Sequence, residues 1–322
     1  MAAASTDRTI HFVDRQDEID FSTPPRPIFL TYYPAPDLIT AIDDHDASVL
    51  YVVEDPIDIL RYQMRELNLS QIESIRAQTC SAVANPMIGR ADRVRYVRRE
   101  SRSPVSAVIE KIATHLKLPL ADAEKPAVLD ELSNGLGPDA ILEDILAVAK
   151  GNYQPQARAG RTGLVDQIEL CALQVMEPMI AMAFGDATRP IVWPTNVFKF
   201  ADPIEQPEAT MTDIGGPVRN IFYGPYFHLP PCRYRMEALI AFSEDVRDIP
   251  FRIEVVGNGL VTHARIENRR ADNYRGYCEF TNTDPISTIE VRLRNDQFVE
   301  HGRLRLIEMA FFKLPEEADR RN

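Results

Sequence analysis

The chain has 322 residues, 45% hydrophobic and 26% charged, with 48 acidic against 36 basic side chains and a net charge of −12. This is the composition of a globular protein long enough for two domains. Its acidity excludes general nucleic-acid binding, because phosphate neutralisation needs a basic face.

The charge is uneven. Residues 213–322 carry 17 acidic and 16 basic side chains, so almost all of the negative excess lies before them. Two units with different surfaces are expected. Residues 1–26 read as a flexible lead-in without the basic start and apolar core of a signal peptide, and no 18-residue apolar run follows. A cytoplasmic protein without membrane insertion is the expectation. Cys80, Cys171, Cys232 and Cys278 show no CxxC spacing. Buried free thiols are expected rather than a metal, redox or disulfide framework.

From Pro27 the run PIFLTYY is strand-like. ASVLYVV (47–53) follows, almost continuously apolar, as a strand covered on both faces should be. Asp55-Pro56 breaks it, and IDILRYQMRELN reads as a helix with Ile57, Leu60, Met64 and Leu67 on one stripe. Strand, tight turn and helix make half of a βαβ unit. RVRYVRRES supplies another strand at 93–97. PVSAVIEKIATHLKL supplies a helix, with Ser103 expected at the N-cap and Pro104 at the first helical position. ILEDILAVAK (141–150) and VDQIELCALQVMEPMIAMAFG (165–185) are also helical, the second interrupted at Pro178.

Residues 187–212 are Pro-rich and aperiodic, and read as a linker. Beyond them come short alternating runs about ten residues apart: YRMEALIAF, FRIEVV, VTHARI, YRGYCEF, STIEVRL and LRLIEMAFF. This spacing predicts an all-β, jelly-roll-like sandwich over 213–314, with 315–322 as a tail. The fold class is therefore an α/β domain over 27–186, a partly parallel sheet with helices, joined to an all-β sandwich.

VLYVVEDPIDIL resembles the strand-and-helix segment of the sulfotransferase family, in which an Arg-x-Pro-x-Asp-like turn holds the 3′-phosphate of the cofactor. RYVRRESRSPVSAVIEKIATHLKLPL is similar to the family's next strand, loop and helix, and LTYYPAP to its Thr-His-x-Pro element. ARAGRTGLVDQIEL resembles its late phosphate-closing loop, which places Arg158, Gly160 and Gly163 as cofactor-binding residues. The likeness spans about 28–185. It departs where chemistry is needed: no Gly-rich cradle precedes Ile28, Tyr32 stands for the general-base His, and Glu54 and Tyr62 replace the phosphate-binding Arg and Ser. A carboxylate facing a phosphate at ~4 Å costs roughly 4 kcal/mol at an effective dielectric of 20. The resemblance thus implies a P-loop-less, degenerate domain without a cofactor. 3′-Phosphoadenosine-5′-phosphosulfate enters only if the chain is an active sulfotransferase. An α/β domain unrelated to that family is the other reading of these residues. The arginines at 90, 93, 95, 98, 99 and 102 are either a polyanion patch or a solvated face.

Tyr223-Gly224-Pro225-Tyr226 and Leu229-Pro230-Pro231-Cys232-Arg233-Tyr234 resemble the turn and strand entry of carbohydrate-binding-module-like sandwiches, with Cys232 where Gly is usual. Sugar faces stack on aromatic rings, and hydroxyls bond to Arg, Asn and Asp. The carbohydrate-binding candidates are Trp193, Tyr223, Tyr226, Arg233, Asp272, Asn273 and Tyr274; each taken singly reads more readily as a core or edge residue. His228 has no partner at metal spacing. Gly-x-Ser-x-Gly, His-Glu-x-x-His and a Walker loop are all missing. The reading is a non-catalytic accessory or interaction protein for surface polysaccharide, with a glycan or protein partner. An active glycan sulfotransferase and a ligand-free, oligomer-forming subunit are the alternatives.

Overall fold

The computed structural model describes residues 10–12, 28–30, 36–45, 47–53, 56–87, 94–98, 103–117, 121–133, 135–141, 144–145, 148, 170–183, 189–202 and 211–315. β1 (Ile10–Phe12) pairs in parallel with β2 (Ile28–Leu30), and α1 (Pro36–Asp44) follows. β3 (Val49–Val53) leads through α2 (Pro56–Glu66) and α3 (Gln71–Met87) to β4 (Val94–Arg98). β3 and β4 are parallel and in register from Val49↔Val94 to Val53↔Arg98, the pairing that a helical crossover permits.

α3 has no counterpart in the sequence reading. Its start is a capping box: Ser70 N donates to Glu73 Oε2 at 2.8 Å, and Glu73 N to Ser70 Oγ at 3.4 Å. Its buried face alternates apolar Ile75, Ala82 and Val83 with Ser74, Gln78 and Thr79. The polar members blur the apolar stripe that periodicity looks for.

α4 (Val105–His115) and α5 (Lys125–Leu132) come next. Pro104, not Ser103, is the N-cap of α4. Pro104 sits extended at ψ 141° because it bridges Ile141, and Val105 N donates to Ala140 O at 2.9 Å. The expected helix at 165–185 is described from residue 170. It opens into a π-turn at Ala172–Met176 and continues as α6 (Glu177–Ala183). Pro178 lacks the N–H that would bond four residues back, so the preceding turn widens.

Two short strands lie within the stretch expected to be a linker, β5 (Ile191–Val192) and β6 (Lys199–Phe200), and β7 (Thr212–Asp213) follows. Then come β8 (Asn220–Phe227), β9 (Cys232–Phe242), β10 (Pro250–Gly257), β11 (Gly259–Glu267), β12 (Asp272–Asn282), β13 (Ile289–Asn295) and β14 (Arg303–Lys313). They form two antiparallel sheets. One runs β11-β10-β13-β8-β6; the other runs β12-β9-β14-β5, with β7 also on β14. In β9, Tyr234, Met236, Ala238 and Ile240 are fully buried, and Arg233, Arg235 and Glu237 take the opposite phase. Phe251, Ile253, Val255, Val291 and Leu293 face them from the other sheet. Fully burying each such side chain contributes about 1.5–3 kcal/mol.

The core does not stop at the sandwich. Leu60 of α2, Ile75 and Val83 of α3, and Cys171, Val175 and Met179 join the same buried cluster as the sandwich residues. Burial pushes the Cys171 thiol up to about 12 and the Cys278 thiol to about 11, so neither is a nucleophile. Among the described residues all four cysteines are free.

Candidate functional site

The Tyr-Gly-Pro-Tyr turn ends β8. Gly224 (φ 114°) precedes Pro225 through a cis bond, and Tyr226 takes φ 66°. An aromatic residue in that region is strained by about 1–3 kcal/mol and must be held there. Two contacts hold it. Tyr226 Oη donates to Glu290 Oε1 at 2.8 Å, and the Arg76 guanidinium lies 5.2 Å from the ring centroid. Arg76 Nε also donates to Pro225 O at 2.8 Å, and His228 N donates to Thr79 Oγ1 at 3.2 Å. The stiff turn is thus the seat of α3. Burial, then the bond to Glu290, raises the Tyr226 phenol pKa.

Leu229-Pro230-Pro231 is equally built in. Tyr234 Oη donates to Pro230 O at 3.0 Å, and the Asn282 amide donates to Leu229 O at 2.6 Å. Cys232 is not among the residues with positive φ, so this entry to β9 does not require glycine.

Trp193 is a correction. It is fully buried, with its ring 4.2 Å from Phe311 and 5.5 Å from Phe227. It fills the core beside the edge strand β5, with its backbone N–H bonded to Met309 O, and offers no face to a ligand. Asp272, Asn273 and Tyr274 open β12 at the β11–β12 turn. Tyr274 Oη accepts from Arg269 N and Arg270 N and donates to Arg270 O, while Asp272 pairs with Arg270 at 2.8 Å. These residues brace that turn. Arg233 lies on the outward face of the four-stranded sheet and donates to Glu279 at 2.9 Å.

Tyr223 stands elsewhere, on the outward face of the five-stranded sheet. Strand register places Lys199, Tyr223, Arg292, Glu254 and His263 directly opposite one another across all five strands. Four strand spacings make this row about 19 Å long. Lys199 and His263 at its ends are exposed, whereas Glu254, next to His263, is 8% exposed. Glu290, on the neighbouring row, is 5% exposed and bound by both Arg292 and Tyr226. The bond to Glu290 holds the Arg292 guanidinium above its ordinary pKa. One row further on, Arg265, Arg252 and Arg294 lie abreast.

The outward face of the other sheet has an aromatic that sequence reading did not single out. Tyr277 is 60% exposed, with Arg235 over its ring at 5.5 Å. There the guanidinium groups are taken: Arg235 by Glu279 at 2.8 Å and Arg275 by Glu237 at 2.7 Å. A cleft of about 620 Å³ at the sandwich end is lined by Asp202, Asp213, Arg219, Glu300 and His301. Arg219 already bridges Asp202 at 2.6 Å. Among the described residues no group of His, Cys, Asp or Glu could hold a metal ion.

The positions that carry the sulfotransferase resemblance, Tyr32, Glu54, Arg158, Gly160 and Gly163, lie outside the described residues; Tyr62 is exposed on α2. Of the basic cluster, only the backbones at 95 and 98 are described, on β4.

No family model matches the chain, and no curated protein matches it. Solved structures show weak similarity to part of the chain. One is TmCBM61 in complex with β-1,4-galactotriose, at 9% identity over 39% of this chain and 88% of that one, TM-score 0.26. Another is the EclA C-terminal domain, a sugar-binding protein, at 14% identity over 32% and 79%, TM-score 0.26. A third is the infectious bursal disease virus VP2 subviral particle, at 10% identity over 39% and 33%, TM-score 0.23. The sandwich is similar to carbohydrate-binding modules, but likeness this distant carries no argument about a ligand. Among the described residues no helix is long and apolar enough to cross a membrane.

Proposed function

We propose that this chain is a non-catalytic accessory protein that holds a saccharide chain across its five-stranded sheet, in the handling of a polysaccharide. The observation that carries this reading is the in-register row Lys199, Tyr223, Arg292, Glu254 and His263. The row sets one aromatic body, Tyr223, among donors and acceptors at regular strand spacing, which suits a polyhydroxylated chain. The Tyr223 ring offers an apolar face to a pyranose, while the cationic groups donate to its hydroxyls. Strands hold these groups rigidly, so little ordering cost is left for binding.

Isothermal titration against a panel of hexasaccharides tests the reading. At least one should bind, and Tyr223→Ala should weaken it roughly tenfold, the loss of about 1.4 kcal/mol. Unchanged affinity in Tyr223→Ala, or no binding by any member, overturns it.

A further inference from the structure

We infer that this face selects an anionic saccharide, one carrying carboxylate or sulfate groups, and that Arg252, Arg265 and Arg294 make the selection. The inference rests on the glycan-binding reading and adds its substrate class.

The register sets Arg265 opposite Arg252 and Arg252 opposite Arg294, on three adjacent strands. Like charges directly opposite one another destabilise a sheet. Nothing in the fold demands them, because these positions point away from the core, whose side of β10 and β13 is filled by Phe251, Ile253, Val291 and Leu293. Residues 213–322 carry nearly equal numbers of acidic and basic side chains, so three arginines abreast are not imposed by composition.

Internal neutralisation is incomplete. Arg252 donates to Asp296 at 3.1 Å. Arg294 reaches the same carboxylate only at 3.9 Å, and Arg265 stands 3.9 Å from Glu267; neither is a hydrogen bond. The remaining acid in this row's surroundings, Glu254, is 3.8 Å from Arg252. Arg292 is committed to Glu290. The Arg252, Arg265 and Arg294 side chains remain 39%, 62% and 36% exposed. An oxygen-rich anion lying across the row would accept from their outward guanidinium N–H groups, and guanidinium matches carboxylate and sulfate oxygens in paired geometry.

The proposal is tested with the full chain and four probes: cellohexaose as neutral hexamer, hexa-galacturonate, a sulfated galactan hexamer and the oligonucleotide dT12. One or both anionic saccharides should bind at least tenfold tighter than cellohexaose, and tighter than dT12, with affinity falling as salt rises. In the variant Arg252→Gln/Arg265→Gln/Arg294→Gln the anionic-to-neutral ratio should fall toward one. Its melting temperature at low salt should hold or rise, because a like-charge contact is relieved; a marked fall would show that the row is structural and overturn the assignment. Equal binding of neutral and anionic hexamers overturns the inference and leaves glycan binding standing. Equal binding of dT12 shows a general polyanion surface and also overturns it. Binding by no saccharide sinks both readings. The two anionic arms separate carboxylate from sulfate recognition.

Discussion

The Arg76 guanidinium lies over the ring of Tyr226, 5.2 Å from its centroid, while its Nε bonds the carbonyl of the preceding residue, Pro225. One side chain of α3 therefore fixes both the strained turn of β8 and the helix itself. Arg76→Ala should destabilise the protein by about 1.5–3 kcal/mol, the range for a hydrogen bond to a charged group. Denaturant unfolding measures the loss. Amide exchange in α3 should accelerate more than exchange in β10; a uniform change across both would show that Arg76 does not anchor the helix.

His228 sits in the same joint, with Nδ1 3.4 Å from Thr79 Oγ1. Burial depresses its pKa below the ordinary histidine value, although Asp284 and backbone groups oppose the shift. A depressed folded-state pKa means that stability is complete above about pH 6.5, the unfolded value, and is lost as pH falls through the folded value. The unfolding midpoint should therefore drop below pH 6.5, and His228→Gln should flatten that drop. An identical acid limb in the variant would assign the effect elsewhere.

Trp193 is the only tryptophan of the chain and is fully buried. Trp193→Ala should cost about 3–5 kcal/mol. Trp193→Phe should cost far less, because a ring remains against Phe311 and a buried indole N–H without a partner is removed. In the native chain, tryptophan emission should be blue-shifted and unmoved by any saccharide. A glycan-dependent shift would put Trp193 back among the contacts.

Gly302, at φ 157°, has no room for a side chain: a Cβ there would lie 2.0 Å from Val246 Cγ1. Val246 is itself fully buried. Gly302→Ala should destabilise by about 1–3 kcal/mol, the usual cost of overpacking, or prevent folding. Thermal unfolding near the wild-type temperature would show that the loop yields.

If residues 28–185 follow the sulfotransferase resemblance, Glu54 takes the position of a phosphate-binding cation, and adenosine 3′,5′-bisphosphate should give no heat of binding. Micromolar binding would restore a cofactor to the first half and with it the sulfotransferase reading.

Alternation along YRMEALIAF, FRIEVV and STIEVRL is enough to say which side chains face inward, because strand periodicity is local. The same local rule placed the β3–α2 unit and the break at Pro178. It could not say which outward residues become neighbours. That Arg252 meets both Arg265 and Arg294, or that Tyr223 lines up with Arg292, depends on sheet order and register, which are set by partners 13 to 69 residues away. Sequence leaves Trp193 open for the same reason: a tryptophan in a Pro-rich stretch is buried or exposed according to what packs over it, and here Phe227 and Phe311 from distant strands do, with nearby Phe198. α3 escapes the sequence reading despite the capping box at Ser70 and Glu73, because Ser74, Gln78 and Thr79 interrupt its apolar face, and its seat on Tyr226 is a tertiary contact. Local chemistry specified the strands, the turns and the inward phase; only tertiary packing decided that the aromatic turn grips a helix, and that a line of opposed arginines crosses the open face of the sheet.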